Sequence, residues 1–204
     1  MIIMKIMISL LAAIIISVFA AGCSSPVSED SGTTGLSELQ KPVPSGVLTD
    51  DERAGLIFMR EEEKLARDVY ITMYGKWGYA IFNNIAKSEQ THMDAILKQL
   101  NKYAVPDPVT SNEVGVFTDV ALQALYTTLV EKGSASGAEA LAVGVDIETK
   151  DIADIQTQID SVVTKSDIFR VYSHLLKASE QHLQAFTSGQ TFPVGIGAQR
   201  QHGK

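Results

Sequence analysis

The chain has 204 residues, 45% hydrophobic and 20% charged, with one Cys, four His and a net charge of −7. That length supports a real hydrophobic core, and the composition excludes wholesale disorder, a collagen-like repeat and a disulfide scaffold. The acidic balance offers no basic patch to phosphates, which excludes nucleic acid as a partner, and a single long apolar stretch excludes a polytopic membrane protein.

The first segment reads as an address. Met1 to Ala21 carries one charge, Lys5, followed by an apolar run from Ile6 to Phe19. The run ends in Ala20-Ala21-Gly22-Cys23, so the only Cys of the chain stands where cleavage would fall. A basic residue, an apolar core and small residues make a secretory signal. The segment resembles the bacterial lipoprotein signal, with Ala20 in place of the usual Leu. The resemblance implies cleavage after residue 22, a lipid on Cys23, and a protein exported and anchored outside the cytoplasmic membrane or at the outer membrane. The alternative is an uncleaved anchor helix with an incidental Cys. Residues 23–47 are rich in Ser, Gly, Pro and Thr and read as a flexible tether.

A helical domain is expected over residues 48–188. Thr49 with Glu52 three residues on is a capping box, and it starts a first helix from about Asp50 to Tyr74. Gly75-Lys76-Trp77-Gly78 breaks it, with Trp77 packing at the turn. A second helix runs from about Tyr79 to Tyr103 and is ended by Pro106 and Pro108. The connection that follows holds a short helix, Thr118 to Lys132. Ser134 caps a third long helix, about Ser136 to Val163. A fourth starts near Ser166-Asp167 and runs to about Thr187. Residues 189–204 read as a loose tail. The fold class is therefore all-α. Two antiparallel hairpins joined by a long crossover containing a short helix form the ferritin-like four-helix bundle.

Carboxylates fall at one level of that bundle. Glu63 lies 13 residues before Lys76, and Glu89 lies 13 after it. Glu148 and Glu180 lie 16 residues on either side of Thr164. In an antiparallel hairpin, equal distance from the turn means equal height. Four inward glutamates at one height would repel, and two divalent cations would neutralise them. Glu89 and His92 are three apart, hence neighbours on one helix face, so the Glu can bridge two metals while the His binds one. Glu61 and Glu62 read as a solvated face with Lys64 and Arg67 as partners.

Glu63-x-x-Ala66-Arg67-x-x-Tyr70 resembles the first-helix motif of rubrerythrins and ferritins, and Glu89-x-x-His92 resembles their second-helix motif. On these residues the chain is identified as a member of a ferritin-like family most of whose members are domains of unknown function, over about Thr49 to Thr187. The resemblance selects Glu63 over its two neighbours. It implies a di-iron or related dimetal site, with Mn or Zn as alternatives to iron; Glu63, Glu89 and His92 match its motifs, and Glu148 and Glu180 join them as candidates by their height in the bundle. It further implies ferroxidase or peroxidase chemistry on oxygen or peroxide. The fourth helix departs from the pattern, offering Glu180-x-His182. Residues two apart are turned by about 200°, so a local distortion of that helix, fewer nitrogen ligands or a single metal all remain open. Asp151, three residues after Glu148, is a further oxygen donor, and His182 a further nitrogen donor. Tyr70 is read either as a partner of the site or as an ordinary core Tyr. His174 and His202 read as solvated. A rubredoxin-like Cys pair is absent from the sequence.

Three functions follow as expectations: a lipid-anchored dimetal oxidoreductase, a metal-binding module without turnover, and a metal-free helical interaction module at the cell surface. Association into a homodimer stays open.

Overall fold

The computed structural model describes residues 46–191. The expected signal peptide, Cys23 and nearly all of the tether lie outside the described residues, as do residues 192–204 of the expected tail. Among the described residues there are five helices and no strand. None of these helices is long and apolar enough to cross a membrane.

α1 spans Asp50–Trp77 and is opened by the expected capping box. Thr49 Oγ1 accepts from Glu52 N–H at 3.1 Å, and Glu52 Oε2 accepts from Thr49 N–H at 2.9 Å. Asp50, Asp51 and Glu52 add negative charge where the helix dipole is positive. The helix runs three residues past its expected end at Tyr74, because Gly78 rather than Gly75 takes the left-handed stop, at φ 69°. Trp77 reaches further than the turn: its indole N–H donates to the Gly133 carbonyl at 2.9 Å. α2 spans Ala80–Lys102 and ends before Pro106.

The crossover contains α3, Val120–Gly133, capped by Asp119. α4 spans Gly137–Ser161, and its cap is Ser136, whose side chain accepts from Glu139 N–H at 3.1 Å. Ser134, expected in that role, instead closes the C-terminal end of α3. α5 spans Ser166–Thr191, so the first residues of the expected tail are helical.

α1 packs against α2 and α4, α5 against α2 and α4, and α3 lies across α1 and α4. The four long helices thus close a ring, with α3 outside it. Gly144 sets how closely α4 approaches α5, since a Cβ there would lie 2.5 Å from the Phe186 ring.

The ring has two apolar ends. One cluster includes Leu65, Val69, Met73, Phe82, Ile147 and Phe186. The other includes Leu56, Met59, Ile96, Leu100, Ile155 and Leu175. Every long helix passes from one cluster to the other through a short polar stretch. That stretch is Glu63 in α1, Glu89 to His92 in α2, Glu148 to Asp151 in α4, and Ser179 to His182 in α5. A polar layer is therefore sealed between two apolar plugs.

α1 is the most enclosed element, with every residue from Met59 to Tyr70 buried. This overturns the solvated reading of Glu61 and Glu62, which are 3% and 4% exposed. The crossover engages Glu61, and α4 engages Glu62. Glu61 accepts from the N–H groups of Thr118 at 2.5 Å and Asp119 at 2.8 Å, and Glu62 pairs with Lys150 of α4. Lys64 donates to Asp68 at 2.5 Å and to the Glu113 carbonyl at 2.8 Å, while Arg60 forks onto Asp107 at 3.0 Å. Charged residues on this side of α1 clamp the crossover rather than face water.

Candidate metal centre

The polar layer gathers three carboxylates and two imidazoles from four helices. Glu63, Glu89 and Glu148 are each 1% exposed, and His92 is buried with them. His92 Nδ1 lies 3.1 Å from Glu63 Oε2 and 2.7 Å from Glu89 Oε2. His182 Nδ1 lies 2.9 Å from Glu89 Oε1 and 3.5 Å from Glu148 Oε2. The donors form two groups, Glu63–Glu89–His92 and Glu89–Glu148–His182, and within each group they lie within 4.8 Å of one another. Glu89 belongs to both, offering one carboxylate oxygen to each side. The two rings stand 5.7 Å apart between centroids, inclined by 25°.

Hydrogen bonds account for only part of this set, among them the one between His92 Nδ1 and Glu63 Oε2. Glu63 Oε1, Glu89 Oε1 and His182 Nδ1 are buried and have no aligned hydrogen-bond partner. Buried polar atoms are costly when left so. Oxygen donors with imidazole nitrogens suit Fe(II), Mn(II) or Zn(II), so this donor set fits a metal pair.

The ionisation pattern follows from burial and proximity. Burial pushes Glu63 up to about 8, against the His92 ring and with help from the Glu89 charge. Burial and Glu89 likewise push Glu148 up to about 7, against His182. Burial also acts to raise Glu89, but the His182 and His92 rings overcome it and hold that carboxylate down at about 2. Burial acts to lower both rings, yet Glu63 and Glu89 lift His92 to about 11, and Glu148 and Glu89 lift His182 to about 9. With no metal bound, two imidazolium cations flank one firm carboxylate, and protons stand where cations could bind.

The neighbours orient this set. The Tyr70 hydroxyl donates to Glu148 Oε1 at 2.6 Å, so this Tyr is tied to the site, although its ring also packs in the core beside Phe82 and Phe186. Ser179 Oγ donates to Asp151 Oδ2 at 2.6 Å. Asp151 Oδ1 has no partner, and burial followed by the Glu63 charge holds this carboxyl well above its ordinary value. Asp151 is not among the donors of either group.

Glu180 does not join the layer. It is exposed, on the opposite side of α5 from the buried stripe of Leu175, Ser179 and Phe186. Equal height from the turn set its level correctly, but one residue along a helix rotates a side chain by about 100°. The inward residue is Ser179, which sequence reasoning passed over. His182 itself points to it: three residues before an inward His lies the position that Glu89 occupies on α2, and on α5 that position is a Ser. α5 is a regular helix here, so His182 reaches the site without a distortion. His174 is exposed, as expected, and His202 lies outside the described residues.

This chain resembles a relative for which both a sequence and a crystal structure are known. It is 51% identical over 144 residues to Uncharacterized protein MJ0754 of Methanocaldococcus jannaschii, covering 71% of this chain and 77% of that protein. It also superposes on the crystal structure of hypothetical protein MJ0754 from Methanococcus jannaschii with a TM-score of 0.70 at 49% identity, over 74% of this chain and 85% of the other. The family model for the uncharacterized protein domain DUF2202 matches residues 52–192, which takes in all five helices nearly end to end, and the chain belongs to that family.

Proposed function

We propose that this protein is a ferritin-like dimetal carboxylate protein, exported and lipid-anchored through Cys23, that binds two iron ions in the polar layer. The observation that carries the reading is the pair of donor groups sharing Glu89, sealed between two apolar clusters. The ring of four long helices with a long crossover is the arrangement in which such centres are built. The N-terminal lipoprotein-like signal supports an extracytoplasmic location for the domain.

Glu89 would bridge the pair. Glu63 with His92, and Glu148 with His182, would complete the two positions. Bound iron would supply one-electron redox chemistry toward dioxygen or peroxide. The chain's own residues bind, orient and enclose. Tyr70 holds Glu148 through its hydrogen bond, His92 and His182 would give up their protons to hold the metals, and the two apolar plugs close the two ends of the layer. The reaction class supported is ferroxidase or peroxide reduction. A metal-binding role without turnover is the second reading, favoured by the Ser at position 179 where a further carboxylate would complete the α5 pattern.

Metal content of the full-length chain, loaded anaerobically with Fe(II) and read by elemental mass spectrometry, tests the proposal. About two iron per chain, lost in Glu63→Ala and His92→Ala, is the expected result. No metal in the wild type would overturn it and leave the interaction-module reading. Peroxide-dependent Fe(II) oxidation faster than that of free iron would separate turnover from simple binding.

A further inference from the structure

We propose that the groove between α2 and α5 is a binding site for a small organic anion, seated over the His92 edge of the polar layer. The groove has a volume of about 440 Å³, within the range of sites that hold small ligands. Ala95 of α2 and Val171 and Leu175 of α5 give it apolar walls. His92 lies at its base, and Arg170 and His174 stand along its α5 side.

No carboxylate lines this groove, although the chain carries a net charge of −7. The contrast with the cavity of about 260 Å³ bounded by α1, α3 and α4 is direct, since that one is lined by Glu62, Asp146 and Asp151. Glu63 and Glu89 lie against the His92 ring and pair with it, and two acids on the flanking helices are engaged as well. Asp167, one turn before Arg170, is taken by Lys102 at 2.6 Å and the Tyr103 hydroxyl at 2.9 Å. Asp94 accepts from the Gln90 amide at 2.9 Å. Arg170 and His174 make no hydrogen bond or ion pair with any described residue.

A guanidinium without a partner, beside an imidazole and above apolar walls, matches a molecule with an apolar body and a carboxylate-like head. An inorganic anion would leave most of the volume and all of the apolar wall unused. The inference rests on the proposed function only for what the ligand meets at the base, where it would lie against the donor group containing His92. It assigns that function a substrate or effector class, an organic acid of roughly one-ring size.

Benzoate is the probe, and benzyl alcohol, of matching shape without the charge, is its control. Methyl resonances of Ala95, Val171 and Leu175 are followed by NMR as each is titrated into the full-length chain, with and without Zn(II). Saturable shifts with benzoate are expected, with at least tenfold weaker binding of benzyl alcohol. Arg170→Gln should abolish that preference at an unchanged melting temperature, since Arg170 is exposed, and Arg170→Lys should keep part of it. The absence of saturable shifts, equal binding of the alcohol, or an Arg170→Gln variant that binds benzoate like the wild type would each overturn the inference. Benzoate binding by a chain that takes up no metal would sustain this site and sink the dimetal reading. Metal uptake without benzoate binding would do the reverse.

Discussion

The α1–α2 hairpin and the α4–α5 hairpin bring the same chemistry to the same level by unequal means. The first hairpin supplies two carboxylates and an imidazole, all donors of the site. The second supplies one carboxylate and one imidazole there. Its other carboxyl, Asp151, is held back by Ser179, the residue that occupies the place of a further Glu. The two candidate metal positions therefore draw unequally on the two hairpins. The one beside His92 draws all three of its donors from a single hairpin, whereas the one beside His182 takes Glu89 from the other hairpin. One hairpin thus gathers the donors of a whole candidate position, while the other completes a pair.

The largest expected effect comes from breaking what the two halves share. Glu89→Gln should abolish metal uptake at both positions, because each donor group loses its central oxygen. His182→Ala should instead keep about one metal per chain, the one held by Glu63 and His92. Glu180→Ala, on the exposed side of α5, should keep the full complement. Elemental analysis of the three variants decides the matter. Equal losses in His182→Ala and Glu89→Gln would show the halves to be a single inseparable site.

The next effect is on pH dependence, and its sign follows from the raised and lowered groups. Glu63 and Glu148 rise to about 8 and 7 in the folded chain. Their contribution is complete below the unfolded value near 4.5 and is lost as pH climbs through those values. His92 and His182, raised to about 11 and 9, add stability below about 6.5 that is lost as pH rises further. Glu89 works the other way, since its value of about 2 means a contribution lost only in acid. The metal-free domain should therefore melt lower at pH 9 than at pH 5, by roughly 5 °C or more. Metal competes with protons for the same atoms, so the loaded protein should lose this slope and release protons on uptake. A calorimetric pH series on both forms checks it.

Much of this was legible in the sequence, and the failures have physical causes. Helix lengths and the hairpin turns follow from caps, Gly78 and the prolines, and these set the heights of Glu63, Glu89 and Glu148. Height says nothing about rotation around a helix, which is why Glu180 is expected at the layer that Ser179 and His182 face instead. The rotation of α5 is carried by its buried face, Leu175, Ser179, His182 and Phe186, a pattern that could have been read. The enclosure of Glu61 and Glu62 could not. Their partners, the Thr118 and Asp119 amides and Lys150, lie 57 to 88 residues away. A run of three glutamates looks solvated until the path of the crossover is known.

A smaller effect tests how the second hairpin handles its extra carboxyl. Ser179→Ala removes the hydroxyl from Asp151 Oδ2, and Asp151 Oδ1 already lacks a partner. The cost should be about 1–3 kcal/mol of apo stability in a chemical-denaturation curve. Adding Asp151→Leu should recover much of it, because removing both partners leaves no unpaired polar group. A double variant no more stable than Ser179→Ala would mean that Asp151 is held by something other than this pair.

The smallest effect concerns the residue that ties the first hairpin to the second. Tyr70 of α1 donates to Glu148 of α4, while its ring lies 5.1 Å from Phe186 and 6.1 Å from Phe82 between centroids. Tyr70→Phe keeps the ring and deletes only the hydroxyl. Apo stability should change by about 1 kcal/mol, because the aromatic packing survives. Metal affinity should fall by more, about tenfold, and at the His182 position first, since Glu148 then loses the bond that holds its rotamer. The readout is competition against a chelator, with the His92 position as the internal reference. If both positions weaken equally, Tyr70 acts by holding the helices together. If neither changes, its hydroxyl serves only to satisfy a buried oxygen, and the coupling between the two candidate positions rests on Glu89.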